Sequence, residues 1–264
     1  MKEYFISEID IEKLYHLSDI KIKLDSNKRQ HLLLTGKNGS GKTSLLLEIE
    51  KFLRAINDEK LSQVFDQYPT WINEAKKKVL SASSDSEKYA ADKDLKQCLG
   101  FLKKYSDGVQ INLNQYEGLE MMYHNGKFIT AYFPSERKAQ FMRPNGVENI
   151  TLENTYGIDE SAGDILLKYM VHLKTQQAYA RNEGDQTTAN QIQKWFDRFD
   201  SALQILLDEE SIHIEYDYKK YDFKIRQNGR EPFSFNELSD GYSSVIYIVS
   251  DLILRMDKNW LLEI

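Results

Sequence analysis

The sequence has almost no cysteine. Cys98 stands alone among 264 residues, so no internal disulfide can form, and such usage suits a reducing cytoplasm. We place Cys98 as a half-buried thiol on a helix. Long hydrophobic runs are missing too. The most apolar stretch, Val245 to Leu254, is interrupted by Ser250 and Asp251 and is too short to cross a bilayer. Met1 to Tyr15 alternates polar and apolar residues where a secretory signal would need an unbroken apolar core. We therefore expect a cytoplasmic protein without membrane contact. There is no excess of positive charge either. The formal net charge of -6 excludes a uniformly basic coat for nucleic acid, though not a local basic patch. The five histidines, His16, His31, His124, His172 and His213, lack ligand spacing, so we read them as structural and find no zinc motif. No repeat occurs, and Ser81 to Ser86 is only a short Ser-rich loop.

What remains is a globular composition, 41% hydrophobic and 29% charged, long enough for one large domain or two small ones. Tyr4 to Asp25 places Ile9, Ile11, Ile20, Ile22 and Leu24 at period two, which predicts short antiparallel strands. Leu32, Leu33 and Leu34 form a continuous apolar run within Gln30 to Thr35, the pattern of a strand buried on both faces in a parallel sheet. Helical spacing follows over Ser44 to Ile56. Leu61 to Ser106 is helical, charged and lysine-rich, and we take it as a peripheral helical insertion with a mobile centre. Val109 to Phe133 alternates like three strands. Gly163 to Ala180 is an amphipathic helix, and a second helix carries Ile192, Trp195, Phe196, Phe199, Leu203 and Leu206. Ser211 to Tyr218 and Tyr221 to Gln227 pair as a hairpin. A last helix runs from about Gly241 to Met256, its apolar face formed by Tyr242, Val245, Ile246, Val249, Leu252, Ile253 and Met256. The expected class is α/β with an antiparallel part.

Gly36-Lys37-Asn38-Gly39-Ser40-Gly41-Lys42-Thr43 has two glycines five apart followed by Lys and Thr, the pattern of a phosphate loop. Glycines let the backbone turn tightly and aim its N–H groups inward at an anion. The helix after the loop presents its positive end to the same phosphates. The candidate binding residues are Gly36, Asn38, Gly39, Ser40, Gly41, Lys42, Thr43 and Ser44. Lys42 reaches the β- and γ-phosphates, and the Thr43 hydroxyl is the expected magnesium ligand. The cofactors this implies are ATP and Mg2+.

Leu238-Ser239-Asp240-Gly241-Tyr242-Ser243 precedes the last helix. Ser239 can cap that helix, and Gly241 gives close backbone access. An N-cap explains the segment if it stands alone; its place about 200 residues after a phosphate loop gives it more meaning.

With both segments in view, the sequence resembles the ABC-type ATPase heads, and more closely the ABC-like AAA ATPases of bacterial defence loci of the retron and Septu type. The resemblance rests on Leu34 to Thr43 and on Phe235 to Ser244, with weaker echoes in Tyr132 to Arg137 and Trp195 to Phe199. It implies a P-loop NTPase fold over residues 1–264, with an ABC-ATPase-like sheet, an antiparallel β part, the helical insertion at about 61–106 and a signature-bearing helical region at about 160–257. It also implies that Ser239 and Gly241 of one subunit touch the γ-phosphate held by another, in a homodimer or higher oligomer. The activity it implies is ATP hydrolysis that gates an effector, a nuclease, in anti-phage defence. Nucleic acid as a partner is left open.

In that family an apolar strand ending in Asp-Glu follows the signature helix. Here only Lys258 to Ile264 follow, so we expect an N-terminal portion or one half of a split ATPase, and the catalytic residues stay unassigned. Ile205-Leu206-Leu207-Asp208-Glu209 has the right composition but precedes the signature and continues a helical stripe. Where a glutamine loop belongs, the chain has Tyr132 to Arg137, with Gln140 beyond. Arg137 reads as a surface ion pair or a nucleotide contact. Two alternatives stand beside the gated ATPase: a nucleotide-sensing module without turnover, and an SMC-like DNA-repair head. The short, poorly periodic Leu61 to Ser106 speaks against the latter.

Overall fold

The computed structural model describes residues 3–135 and 141–260. The chain is mixed α/β and divides into two compact units, 1–130 and 131–264. Each holds one three-stranded antiparallel sheet.

In the first unit, β1 (Ile6–Leu14) and β2 (Leu17–Lys23) form the expected hairpin, with Ile9 opposite Ile22 and Ile11 opposite Ile20. Tyr15, in the left-handed region at φ 52°, closes the two-residue turn. The helix α1 (Lys42–Asn57) follows the glycine-rich loop and buries Leu45, Phe52, Ala55 and Ile56. A π turn over Gln63–Gln67 leads into α2 (Tyr68–Ser81), which pairs with α3 (Asp85–Lys103). Only residues 82–84 separate these two helices. Ser84 and Glu87 form a capping box at the start of α3, which satisfies its first free N–H groups. Cys98 is half-buried on α3. The strand β3 (Val109–Leu113) pairs with the other side of β1. Because side chains alternate along a strand, Ile9, Ile11, Val109 and Ile111 share one buried face. Asp10 takes the opposite face, where it binds Lys21.

Three expectations are corrected in this unit. Gln30 to Thr35 is not a strand: it lies outside both sheets, and Leu33 is 84% exposed. A leucine run reads as a buried strand only where neighbours cover it, and β1 is already paired on both sides. All strand pairings among the described residues are antiparallel. Val109 to Phe133 holds one strand, not three. After β3, Gly118 at φ 84° starts the short helix α4 (Leu119–His124), whose Leu119 and Tyr123 are buried one turn apart. Finally, the 61–106 segment is helical but not wholly peripheral, because Leu61, Val64, Tyr68 and Tyr105 belong to the unit's core.

In the second unit, a 3-10 turn at Ala162–Ile165 leads into α5 (Leu166–Asn182). The helix α6 (Gln186–Leu207) follows after Gly184 at φ 80°, with Asp185 accepting from Thr188 N–H at its start. The hairpin β4 (His213–Asp217) and β5 (Asp222–Arg226) is joined by β6 (Phe233–Ser234). Phe196, Phe199, Phe223 and Phe235 meet in the core between helices and sheet.

The last helix, α7 (Asp240–Trp260), is longer than expected, and its buried face differs from the expected one. Tyr242 and Val245 are 46% and 40% exposed, whereas Ser250, Asp251, Arg255 and Asp257 are buried. Buried ionisable groups need partners, and Asp251, Arg255 and Asp257 have them. Asp251 pairs with Arg255 at 2.5 Å and accepts Gly163 N–H at 3.1 Å. Arg255 donates to the carbonyl oxygens of Tyr156, Gly157 and Glu160. Gly163 packs tightly here: a β-carbon would lie 3.0 Å from Asp251 N. Asp257 accepts from Trp195 Nε1 at 2.8 Å and from the Tyr169 hydroxyl. Burial raises its carboxyl above the usual range, against those two donors. No helix is long and apolar enough to cross a membrane among the described residues.

Candidate nucleotide site

The candidate residues lie within Gly36 to Ser44, and the backbone bends sharply there. Gly36, Gly39 and Gly41 all have positive φ, at 150°, 79° and 89°. L side chains disfavour this region, so the glycines set the curvature. Two also allow close contacts: a β-carbon at Gly36 would lie 2.9 Å from Ser40 Oγ, and one at Gly41 would lie 2.8 Å from Leu17 Cδ1. Gly41 is the N-cap of α1 and offers no side chain to its free N–H groups. No acidic residue occupies the first turn of α1, so its positive end is not neutralised from within.

Lys42 holds this curve together. Its Nζ donates to the carbonyl oxygens of Gly36 and Lys37, both at 2.8 Å, and to Ser40 Oγ at 3.3 Å. The ammonium's three protons are thus directed at the loop, and one positive charge sits against its backbone. Thr43 is exposed, and with Asn38, Ser40 and Ser44 it lines a cleft of about 570 Å3. The arrangement can take an anion with several oxygens: the start of α1, the hydroxyls of Ser40, Thr43 and Ser44 and the charge of Lys42 all belong to residues that line the cleft. These residues therefore fit a triphosphate with its magnesium, Thr43 being the hydroxyl available to the metal. No cluster of three or more metal-ligating side chains occurs among the described residues.

The cleft has a second wall that the sequence does not announce. Tyr15 and His16, from the β1–β2 turn, also line it, His16 lying close to Gly41. Tyr15 is 78% exposed, and its ring is available for a flat partner. The hairpin's leucines could have hinted that a turn falls at 15–16, but no local signal brings that turn to a loop 20 residues away. Of the histidines, His16 alone reaches this cleft. His124 pairs with Glu59, His172 stacks on Tyr169 and His213 contacts the Ser211 carbonyl.

No family model, curated protein or solved structure matches the chain. The chemistry of the site rests on its own residues.

Ser239 and Gly241 lie in the second unit, and the phosphate loop lies in the first. Ser239 stands just before α7, and its carbonyl accepts Ser243 N–H at 2.8 Å. Both residues are exposed. Ser239 and Tyr242 line a cavity of about 320 Å3 with Glu209, Gln227, Arg230 and Glu237. Asp240 occupies the first turn of α7, which stabilises the helix but opposes an anion at its end.

Asp208 and Glu209 end a helix and are not on a strand. Asp208 takes the left-handed conformation that closes α6. The Glu209 carboxylate accepts from Ser211 N and Oγ and from Gln227 Nε2, and these donors hold it below the usual carboxyl range. Glu136, Arg137 and Gln140 lie outside the described residues.

Proposed function

We propose that the chain binds a nucleoside triphosphate with magnesium in the cleft between the Gly36–Ser44 loop and the Tyr15–His16 turn. The observation that carries the reading is the set of three left-handed glycines closed by Lys42 at the start of α1. In this reading the loop N–H groups and Lys42 take the β- and γ-phosphates, and Thr43 holds the metal. Magnesium, when bound, neutralises charge on the phosphate oxygens. Tyr15 offers a face for the base, and we take ATP as the nucleotide.

The wider reading is an ABC-type ATPase subunit that dimerises around ATP. Ser239 and Gly241 of one copy close on the phosphates of another, and the closure gates an effector, a nuclease, in defence against phage. This part rests on the motifs alone. A nucleotide sensor without turnover is the second reading. It is favoured by the local engagement of Glu209, whose oxygens are occupied within its own turn.

The deciding experiment is a titration with a fluorescent ATP analogue and magnesium, wild type against Lys42→Ala. Saturable binding lost in the variant, with the circular dichroism spectrum unchanged, supports the reading. Equal affinity in both proteins removes it.

A further inference from the structure

The first unit holds a second cavity, of about 590 Å3, that shares no lining residue with the phosphate-loop cleft. Ligand sites of small molecules occupy about 300–1,000 Å3 and combine an apolar floor with a few polar groups. This cavity has that composition. Two helical faces enclose it. From α2 come Pro69, Ile72, Asn73 and Lys76, and from α3 and the residues after it come Leu99, Leu102, Lys103 and Ser106. Both sets follow the i, i+3, i+4, i+7 spacing of a single helix face. The floor is Phe52 of α1, Val64 and Phe65 of the π turn, and the β3 strand. π turns recur at functional sites, and here one supplies two apolar side chains to the cavity. Phe65 is held between Phe52, edge-on at 5.7 Å, and Tyr116, stacked at 4.6 Å.

The charges at the rim are not equivalent. Lys103 is paired with Asp107 at 3.2 Å. Glu12 makes no ion pair among the described residues, but its charge acts, with those of Glu8 and Asp10, on Lys21. Lys76 is exposed, and no ion pair engages it among the described residues. Asn73, one turn before it, adds an amide to the same edge. An apolar floor below one unpaired ammonium and one amide favours a molecule with an apolar body and an acidic head.

We propose that this cavity is a binding site for a small amphipathic organic anion, its apolar body against Phe52, Val64 and Phe65 and its acidic head at Lys76 and Asn73. The inference does not depend on the nucleotide reading.

The test is a fluorescence titration of the full chain with 8-anilinonaphthalene-1-sulfonate, an aromatic anion of this kind. One saturable site is expected, and an excess of tripolyphosphate leaves the dye in place. Asn73 and Lys76 are exposed, so changing them spares the core. Asn73→Trp closes the mouth and abolishes the signal. Lys76→Glu weakens binding roughly tenfold, the scale of one charged hydrogen bond. Lys77→Glu, the same charge change at a residue that does not line the cavity, leaves affinity unaltered. The proposal is overturned if the dye does not saturate, if tripolyphosphate displaces it, if both rim variants bind as wild type does, or if Lys77→Glu weakens binding as much as Lys76→Glu.

Discussion

The side chain of Leu17 lies against the backbone of Gly41, so close that a β-carbon there would come within 2.8 Å of its Cδ1. The β1–β2 hairpin therefore braces the last glycine of the Gly36–Gly41 loop. Two costs would meet in Gly41→Ala. The clash falls on the flexible end of a leucine and can be relieved by a small shift. The backbone cannot escape φ 89°, which costs an alanine about 1–2 kcal/mol. We expect Gly41→Ala to destabilise the first unit by about that amount. Gly39→Ala should cost nearly the same, because its φ is 79° and open space surrounds it. Urea denaturation of the two variants compares them directly. A much larger loss at position 41 would mean that the Leu17 contact outweighs the backbone strain.

Tyr15 supplies a test of the base side of the cleft. A stacked base is worth about 1–3 kcal/mol by alanine substitution in nucleic-acid complexes. Tyr15→Ala should therefore weaken ATP binding roughly tenfold and leave the affinity for tripolyphosphate as it was. Calorimetric titration of the variant with both ligands separates base contact from phosphate contact. Equal weakening of both would mean that the turn positions the loop and does not contact the base.

Much of this architecture is legible in the sequence because side-chain period and burial agree. Ile9 and Ile11 alternate with charge and form β1. Ile192, Trp195, Phe196, Phe199 and Leu203 repeat at helical spacing and are the buried stripe of α6. Where a pattern depends on distant neighbours, it misleads. Leu32 to Leu34 has the composition of a covered strand, but nothing along the chain states whether two strands will flank it. Leu119 and Tyr123 are four apart and helical, yet a single turn is too short to show a period. The buried charges of α7 look like breaks in an apolar face, since their partners at Tyr156 to Gly163, Tyr169 and Trp195 lie far off in sequence. At the site, the loop's glycines and lysine are readable from spacing alone. The approach of Tyr15 and His16 is a property of the folded hairpin.

Asp257 gives the second unit a pH dependence of definite sign. Its carboxyl is raised from 3.8, burial being the first cause. Between the unfolded and the raised value the native state holds a proton that the unfolded chain releases, so this group's contribution is fully present below about pH 3.8 and is lost as pH rises through the raised value. Asp257→Asn cannot ionise. Its oxygen can still accept from Trp195 Nε1, and its amide can donate to the Tyr169 oxygen. The stability of wild type relative to Asp257→Asn should fall as pH rises from about 4 towards neutrality, read by urea denaturation at a series of pH values. A difference that stays flat, or grows with pH, would show that the carboxyl is already ionised in the folded protein. Asp257→Ala, which strands both donors, should be the least stable of the three by roughly 1–3 kcal/mol.

Glu209 puts the sensor reading to the test. An acidic residue that activates water must have an oxygen free to accept its proton, and general-base assistance is worth about 10²–10⁴-fold in rate. One Glu209 oxygen accepts twice from Ser211, and the other accepts from Gln227. Those bonds favour the charged form and hold the carboxyl low, which makes it a weak base. A structural carboxylate is the reading that fits, fastening the end of α6 to the β5–β6 region. Glu209→Gln should therefore leave nucleotide affinity unchanged and leave the low turnover of the chain as it is. It should loosen the turn, since an amide accepts fewer of the three donors. A steady-state ATPase assay on the purified chain, wild type against Glu209→Gln, measures the rate, and thermal melting measures the turn. Strong turnover in wild type that disappears in the variant would make Glu209 the base after all, and the sensor reading would then fall.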